Sequence, residues 1–361
     1  MSKPHVNVTN RIYSFIDRIK HIDYNLMPVT LEIHLTDFCN NSCLFCYYNE
    51  NIVKEDKKFL PTDIVIQTIQ DFAMGGGQSI VLSGGGEPLL HPDFIKIMNL
   101  LTELKIDTGI ITNGIKGDDQ ILKAMSNAAW VKFSLHTFNN ENYNKIIGQD
   151  NNIFPVICSN IRRFVQLKKD TVVSTGCVVS ALNEDENSLL NFFDFSVEEL
   201  GVDYVLYRPY FGYNNDLKIT LSKDKLAKTA LKIHKKSEQY NVFSNFSSLV
   251  RDINSERVYI EGKCPIIQSG LMAAISSQGD IFLCLPFARD NMMQTSIGSI
   301  YSDSFKNIWL GNKRRQILNS IDNSICPACK YEKMFPLLEN IDSIDNNKII
   351  LAKQDKHWRF L

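Results

Sequence analysis

Three cysteines lie close together near the start of the chain, where Cys39, Cys43 and Cys46 have the spacing C-x3-C-x2-C. They follow a β-like apolar run over residues 30–35, so they lie on the loop that leaves a predicted strand. Three thiolates on one short loop can hold three corners of a 4Fe–4S cluster and leave the fourth iron without a protein ligand. An open iron of this kind can bind a substrate, whereas a fully ligated iron carries electrons or braces the fold. The spacing therefore predicts a cluster that takes part in chemistry.

Structural zinc is the rival interpretation of these cysteines. A structural zinc site takes four ligands, commonly from paired C-x2-C knuckles, and this loop supplies three ligands at a different spacing. A disulfide is disfavoured, because the first residues contain no apolar segment of the signal-peptide type and disulfides belong to oxidising compartments. We therefore expect an iron–sulfur cluster, with zinc as the alternative.

The same loop, with Phe45 as the aromatic residue before the last cysteine, resembles the signature of the radical S-adenosylmethionine (SAM) superfamily. The resemblance implies that the amino and carboxylate groups of SAM bind the open iron. It also implies that an electron from the cluster cleaves SAM to methionine and a 5′-deoxyadenosyl radical, which abstracts a hydrogen atom from the substrate.

Length and composition are those of an ordinary globular protein. The 361 residues suit one large domain plus a smaller one, with 44% hydrophobic and 22% charged residues. The net charge of −1 gives no support to a nucleic-acid partner, and no apolar run is long enough to span a membrane. We expect a cytoplasmic protein, in which nine cysteines indicate metal binding or catalysis.

Strand-like and helix-like patterns alternate from the first predicted strand onward. Strands are predicted at 30–35, 79–83, 107–112, 129–135, 171–179 and 203–208, and helices near 62–73, 93–104, 118–126, 141–147, 155–168 and 187–200. This alternation predicts an α/β fold built on a parallel sheet. Six units rather than eight indicate a partial (βα)6 TIM-like barrel, which the family resemblance also implies. Functional residues are then expected where the strands end.

Five segments are predicted along the chain. They are an N-terminal extension (1–28) with a leading helix expected over Arg11–Lys20, the radical SAM partial barrel (29–215), a helical linker (216–260), a small SPASM/twitch-like module (261–337) and a C-terminal tail (338–361). The module is predicted to hold a β-hairpin over 271–284 and a helix near 303–319. Trp358 and Phe360 form an apolar tip that is expected to dock the tail on the body.

A second cysteine set lies in the C-terminal part of the chain, where Cys264 and Cys284 are followed by the C-x2-C pair Cys326 and Cys329. Four thiolates close every corner of a cluster, and they equally suit structural zinc, so the spacing alone leaves both open. With Gly279 five residues before Cys284, the pattern resembles the SPASM/twitch extension of radical SAM enzymes, which binds auxiliary clusters. The full SPASM pattern has seven cysteines and two clusters. No cysteine follows Cys329, so we expect one auxiliary 4Fe–4S cluster with four protein ligands.

A glycine-rich turn follows the second predicted strand. A P-loop is excluded because no Lys-Ser/Thr pair follows the glycines. The stretch at 83–88 resembles the GGEP motif of the superfamily, in which Gly85 and Gly86 admit the ligand and Glu87 accepts the methionine amino group. The turn with Asn113 after strand three resembles the family's TNG turn, which lines the same site.

Further residues at strand ends are candidates for binding SAM. The resemblance assigns Ser134 and His136 to the ribose or carboxylate, and the backbone around Phe45 and Tyr47 to the adenine. Arg208 ends strand six and is a candidate partner for the SAM carboxylate through its fixed fork of donors. The alternative for Ser134, His136 and Arg208 is structural, because polar residues at strand ends often cap the next helix.

Two cysteines remain outside both sets. Cys158 lies in a helical pattern and is expected to be a small buried hydrophobic residue. Cys177 ends predicted strand five, and some radical SAM epimerases use a thiol as hydrogen donor, so Cys177 is a candidate for that role beside a plain structural one.

The leading hypothesis is a radical SAM enzyme that modifies an unactivated C–H position in a ribosomally synthesised peptide. Against a peptide, the 28 residues before strand one are expected to be too few for a leader-binding domain. The alternative is oxidation or epimerisation of a small carbinol, sugar or aminocyclitol. Either reaction implies a flavodoxin- or ferredoxin-type electron donor. An iron–sulfur or zinc scaffold without activity is the non-enzyme alternative.

Overall fold

The computed structural model of this protein describes residues 8–46, 48, 57–147, 152–210, 212, 214–247, 249–250, 263–289, 292–321, 326, 348, 353, 357 and 359–360. Its strands are β1 (Thr30–His34), β2 (Ser79–Ser83), β3 (Asp107–Thr112), β4 (Trp130–Ser134), β5 (Val172–Val179), β6 (Tyr204–Pro209), β7 (Phe243–Ser244), β8 (Met272–Ile275), β9 (Asp280–Phe282) and β10 (Ser296–Ser299). The six predicted strands correspond to β1–β6 within one residue at each end, which confirms them.

The helices are α1 (Ile16–Lys20), α2 (Thr62–Met74), α3 (Phe94–Glu103), α4 (Asp119–Met125), α5 (Asn140–Ile147), α6 (Phe154–Leu167), α7 (Glu186–Asp194), α8 (Lys223–Tyr240), α9 (Pro265–Gln268), α10 (Leu285–Arg289), α11 (Phe305–Leu310) and α12 (Asn312–Ser320). Short 3-10 turns cover Val8–Phe15, Pro88–Leu90, Asn215–Leu217 and Met293–Thr295, and a π-helical turn, Phe195–Glu199, continues α7. The predicted helices between the six strands are confirmed by α2–α7. Helices therefore separate the successive strands from β1 to β7, as a parallel α/β fold requires.

The described residues form two compact units. The first unit lies within Cys39–Lys54 and Gly109–Glu256, and the second within Pro4–Phe38, Glu55–Thr108 and Arg257–Leu361. In the first unit the strand order is β3-β4-β5-β6-β7, with every pair parallel. In the second unit the order is β10-β9-β8-β1-β2. The predicted α/β class, a partial barrel with a C-terminal hairpin, is confirmed.

Apolar strands and helix caps build the first unit. Val131 and Phe133 of β4 and Val173 of β5 are fully or almost fully buried, as expected for parallel strands covered on both faces. Helices α4 and α7 begin at side-chain caps, because Asp118 accepts the N–H of Ile121 and Asp185 accepts that of Ser188. The caps therefore mark where the loops after β3 and β5 end and the helices α4 and α7 begin.

The second unit combines parallel and antiparallel pairing. Strand β1 is buried along its whole length and pairs in parallel with β2 on one side and with β8 on the other. Strands β8 and β9 form the predicted hairpin, and the turn between them needs Gly279 at a φ of +85°. The pairing of β8 with β1 was not predicted from the sequence.

Three local features differ from the sequence predictions. The single helix predicted near 303–319 is two helices, α11 and α12, because the extended backbone of Gly311 separates them. The leading helix expected over Arg11–Lys20 is a 3-10 turn that becomes helical only in α1. Strands β7 and β10 were not predicted, since two and four residues are too few to show an alternating pattern.

The end of the chain contacts the second unit. Phe360 is buried, and its carbonyl oxygen accepts a hydrogen bond from the Arg11 guanidinium at 3.2 Å. The Arg359 carbonyl oxygen accepts hydrogen bonds from the hydroxyls of Thr30 and Ser79. The tip predicted to dock therefore does so at Phe360, whereas Trp358 lies outside the described residues. Among the helices that the structure describes, none has the length and apolar character needed to cross a membrane.

Two glycines with almost the same left-handed backbone provide a matched test of the β1–β2 packing. Gly84 has a φ of +87° and an added Cβ there would overlap the buried ring of His34, whereas Gly76 has a φ of +86° and open space around it. Gly76→Ala should lower the free energy of unfolding by about 1 kcal/mol through backbone strain alone. Gly84→Ala should add an overpacking cost of about 1–3 kcal/mol. Equal urea midpoints for the two variants would contradict this packing.

Candidate functional site

The cysteine loop, residues 39–46, is anchored to the C-terminal end of α5. The backbone N–H of Leu44 donates to the Ile146 carbonyl at 2.9 Å, and the Ser42 hydroxyl donates to the Ile147 carbonyl at 3.0 Å. The Asn41 side chain donates to the buried hydroxyl of Tyr143 at 2.8 Å. The loop therefore has a defined conformation that rests on one helix of the first unit.

The three thiols of this loop lie within electrostatic range of one another. Burial raises the pKa of Cys43 to about 12, and the neighbouring Cys46 and Cys39 raise it further by like-charge repulsion. None of the three cysteines forms a disulfide. Three thiolates repel one another unless a cationic group lies among them, so this set of donors suits a metal cluster and disfavours three bare thiolates. Among the described residues, no three Cys, His, Asp or Glu side chains converge in the geometry of a bound metal ion.

Asn113 contacts the cysteine loop from the end of β3. Its amide nitrogen lies 3.7 Å from the Cys39 sulfur and donates to the Asn40 side chain at 2.8 Å. Its amide oxygen accepts the N–H of Ile115 at 3.0 Å, and Gly114 has a φ of +74°. The predicted TNG turn thus brings Asn113 to the first cysteine. Its contact with SAM stays a prediction.

His136 is held in an unusual backbone conformation after β4. Its φ is +69°, a left-handed value that is uncommon for a residue other than glycine and marks a constrained position. The Val178 N–H donates to Nδ1 at 3.2 Å, so the proton of the neutral ring is on Nε2. The ring meets Phe45 edge-on, with 4.7 Å between centroids. Burial and then the charge of Lys132 lower the pKa of His136 to about 3, so the ring is neutral at physiological pH.

Cys177 is buried beside His136. Its thiol contacts the His136 carbonyl oxygen at 3.3 Å, and burial raises its pKa well above the usual value. Asn183 donates to three acceptors, the Cys177 sulfur, the His136 carbonyl and the Val178 carbonyl. A hydrogen-bonded buried thiol is a poor nucleophile, and the predicted role of Cys177 as hydrogen donor remains a prediction.

Sequence reasoning missed Asn183, which ties the end of β4 to the end of β5. Its side-chain oxygen also accepts the Ser180 N–H at 2.9 Å, so every polar atom of the amide lies in a hydrogen bond. A lone asparagine after a strand gave no signal beyond a turn residue.

The remaining candidates of the first unit occupy the positions that the strand pattern predicted. Ser134 is the last residue of β4 and is half-buried, and Arg208 is near the end of β6 and is exposed. Phe45 is buried. Tyr47 lies outside the described residues. The binding of SAM by these residues stays a prediction.

In the second unit, the glycine-rich turn packs against the residue before the first cysteine. The Glu87 N–H donates to the Phe38 carbonyl at 2.8 Å, and a Cβ on Gly86 would overlap the same carbonyl oxygen. One Glu87 carboxylate oxygen accepts the Leu89 N–H at 3.0 Å and caps the turn Pro88–Leu90. Glycine at position 86 is therefore required by this backbone contact, and its approach to SAM stays a prediction.

The second cysteine set is described in part. Cys284 is buried after β9, with its sulfur 3.7 Å from the Met272 sulfur, and Cys264 is half-buried at the start of α9. Cys326 is half-buried, and Cys329 lies outside the described residues. The described part of the chain does not bring these thiols together as a metal-ligand group. Their joint ligation of a cluster stays a prediction.

The neutral state of His136 gives a pH-dependent stability that can be measured. Its folded pKa of about 3 lies below the ordinary 6.5, so the unfolded chain takes up a proton first as the pH falls. The stability that the neutral ring provides at pH 7 is therefore lost below pH 6.5, by about 2 kcal/mol at pH 5.

His136→Asn is the comparison variant, because asparagine tolerates a positive φ and can still accept the Val178 N–H. Urea denaturation at both pH values should show that the wild type loses about 2 kcal/mol more than His136→Asn. An equal loss in the two proteins would show that His136 is not buried as a neutral ring.

Sequence comparisons identify relatives of this protein over much of the chain. A sequence model of the radical SAM superfamily matches residues 33–193, and a model of an iron–sulfur cluster-binding domain, SPASM, matches residues 264–330. An S-adenosylmethionine-dependent nucleotide dehydratase of Flammeovirga pacifica is 29% identical over 227 residues, which cover 59% of this chain and 74% of that protein. A GTP 3′,8-cyclase of Limosilactobacillus fermentum is 30% identical over 200 residues, and the match spans 52% of this chain but only 56% of that protein.

A solved structure shares the fold. Streptococcus suis SuiB bound to its precursor peptide SuiA aligns with a TM-score of 0.63 at 18% identity, covering 87% of this chain and 71% of that chain. At this identity the likeness shows the fold alone. The two domain matches carry the assignment further, since they imply the cluster that binds SAM and an auxiliary iron–sulfur centre. The chain belongs to the radical SAM superfamily and is a radical SAM enzyme with a C-terminal iron–sulfur cluster-binding domain.

Proposed function

We propose that this radical SAM enzyme modifies an unactivated C–H position in a ribosomally synthesised peptide. The observation that carries the chemistry is the cysteine loop, where Cys39, Cys43 and Cys46 lie within electrostatic range of one another and Asn113 contacts the first of them. We assign to these three thiolates a 4Fe–4S cluster with one iron open to SAM. When bound there, the cluster and SAM supply a one-electron cleavage that yields a primary carbon radical for hydrogen abstraction.

The neighbouring residues position SAM and exclude water. His136 offers a neutral Nε2–H donor that is fixed by the Val178 N–H, and Phe45 contributes an apolar ring beside it. Gly85 and Gly86 let the backbone approach the methionine end of SAM, and Glu87 accepts its amino group. Ser134, Arg208 and Tyr47 complete the proposed set. Near-contact geometry is what a reactive radical requires, and pre-formed hydrogen bonds maintain it.

The C-terminal cysteines hold the auxiliary centre in this proposal. Cys264, Cys284, Cys326 and Cys329 close all four corners of one 4Fe–4S cluster, so no iron of that cluster is left for substrate. Such a cluster would supply an acceptor for one electron. This role suits an oxidative modification of a peptide.

Two observations bear on the substrate. The fold is shared with SuiB, whose structure holds a precursor peptide, and this supports the peptide substrate. The related sequences are a nucleotide dehydratase and a GTP cyclase, and they favour the second candidate, a reaction on a small molecule. For that candidate we consider oxidation or epimerisation of a small carbinol, sugar or aminocyclitol, with Cys177 as the possible hydrogen donor of an epimerase.

The electron source in this proposal is a flavodoxin- or ferredoxin-type protein in the cytoplasm. The cysteines that the structure describes form no disulfide, which suits a reducing compartment. A small reduced carrier supplies one electron at a time, as the SAM cleavage requires.

Iron counting tests the assignment of the loop. Two clusters require about eight irons per chain, and replacing Cys39, Cys43 and Cys46 with alanine should leave about four. The same variant should lose 5′-deoxyadenosine formation in the presence of dithionite. Cys158→Ala is the control, because that thiol is buried in α6 outside both sets, and it should keep both properties. Continued 5′-deoxyadenosine formation by the triple variant would refute the assignment.

Deuterium transfer distinguishes the two substrate classes. Candidate precursor peptides and candidate polyols, each deuterated at carbon, are incubated with enzyme, SAM and reductant. We expect deuterium in 5′-deoxyadenosine from a peptide and none from the polyols, as measured by mass spectrometry. Transfer from a polyol or aminocyclitol alone would replace the peptide proposal with the small-molecule one.

A further inference from the structure

A buried carboxylate precedes the cysteine loop and contacts the C-terminal hairpin. Asp37 is 3% exposed and lies two residues before Cys39. One carboxylate oxygen accepts the hydroxyl of Ser277, and the other accepts the amide nitrogen of Gln278 at 2.6 Å. Ser277 and Gln278 form the turn between β8 and β9, directly before Gly279. Residues far apart in the sequence therefore meet at one side chain.

The surroundings leave Asp37 little freedom. A Cβ on Gly85 would lie 3.0 Å from Asp37 Oδ1 and 3.1 Å from the Ser277 hydroxyl oxygen, so the glycine-rich turn lies directly against this contact. Hydrogen bonds to a charged, buried acceptor are stronger than those between neutral groups, and their loss leaves the charge poorly solvated. These hydrogen bonds therefore hold the Asp37 side chain in one position, and their loss is expected to lower the stability of the folded protein.

The backbone on both sides of Asp37 is also fixed. The Asp37 N–H donates to the Lys58 carbonyl at 3.0 Å, and the Phe38 carbonyl accepts the Glu87 N–H at 2.8 Å. The Thr36 hydroxyl accepts the Phe38 N–H and donates to the Lys58 carbonyl, both at 2.9 Å. Backbone hydrogen bonds thus hold residues 36–38 against Lys58 and Glu87, and the Asp37 side chain holds the same segment against the turn between β8 and β9.

We propose that Asp37 is a positioning residue through which the β8–β9 turn of the iron–sulfur cluster-binding domain sets the start of the cysteine loop. The inference rests on the proposed role of Cys39, Cys43 and Cys46. Asp37 touches neither SAM nor the reacting atoms in this account. It acts by holding Phe38, and so the first cysteine, in one orientation. The C-terminal domain consequently supports SAM cleavage as well as holding its own cluster.

The chain offers a matched control on α2. Asp71 is 5% exposed, accepts the Gln67 amide nitrogen at 2.9 Å and accepts the Lys306 N–H at 3.3 Å. It is also a buried aspartate bonded to a glutamine and to the C-terminal part of the chain, but it lies on a helix away from any cysteine in the sequence. A general loss of stability should affect both aspartates alike.

The test uses full-length reconstituted enzyme and two readouts, hydrogen–deuterium exchange of peptide 38–46 and the rate of 5′-deoxyadenosine formation at saturating SAM. Asp37→Asn replaces one carboxylate oxygen by an amide nitrogen and removes the charge that strengthens both hydrogen bonds, so we expect faster exchange of the loop and roughly tenfold slower SAM cleavage. Asp71→Asn should change neither readout beyond twofold.

A reversed pair sharpens the test. In Asp37→Asn/Gln278→Glu the donor and the acceptor exchange places, so most of the lost rate and the slow loop exchange should return. Gln278→Met removes the donor at nearly constant volume and gives the same readouts if Asp37→Asn does not fold. Equal behaviour of the Asp37 and Asp71 variants, or no recovery in the reversed pair, would overturn the proposal. A wild type that forms no 5′-deoxyadenosine would instead refute the proposed function, and the exchange data would still test Asp37.

Discussion

Repulsion between three neighbouring thiolates is the constraint on which this structure depends. Cys39, Cys43 and Cys46 share one short loop, and the pKa of Cys43 is raised to about 12 by burial and by its two neighbours. Without a cationic group beside it, the Cys43 thiol remains protonated. When a metal cluster lies among the three thiols, they can lose their protons and serve as its ligands, because metal binding and thiol deprotonation are linked. The hydrogen bonds that anchor the loop to α5, and its contact with Asn113, hold the three sulfurs near one another despite this repulsion.

The fold provides these anchors at the ends of parallel strands. In the first unit, the loops after β3 and β4 carry Asn113 and His136, and β5 carries Cys177. Asn183, after β5, joins His136 to β5 through three hydrogen bonds. In the second unit, β1 pairs with both β2 and β8, so the residue that precedes the cysteine loop is held by the glycine-rich turn and by the hairpin turn. Strand order thus explains why segments far apart in the sequence meet within each unit.

The sequence predicted the strands well, for physical reasons. Strands β1–β6 are short runs rich in β-branched and aromatic residues between helices of ordinary length, so the sequence pattern identified their bounds within one residue. It did not predict β7, β10 or the break at Gly311, because these depend on tertiary contacts of very short segments. Asp37 and Asn183 were missed for a related reason. The hydrogen-bond partners of these two residues approach them only in the folded chain, and neither residue belongs to a motif with a characteristic spacing.

The open iron at the cysteine loop is the central claim, and electron paramagnetic resonance of the reduced protein tests it most directly. The variant to use has Cys264, Cys284, Cys326 and Cys329 replaced by alanine, so that only the loop can hold a cluster. We expect a 4Fe–4S spectrum whose g values shift when SAM is added, because SAM binds the iron that has no protein ligand. A spectrum that SAM leaves unchanged, or a protein that binds zinc and gives no signal, would contradict the account.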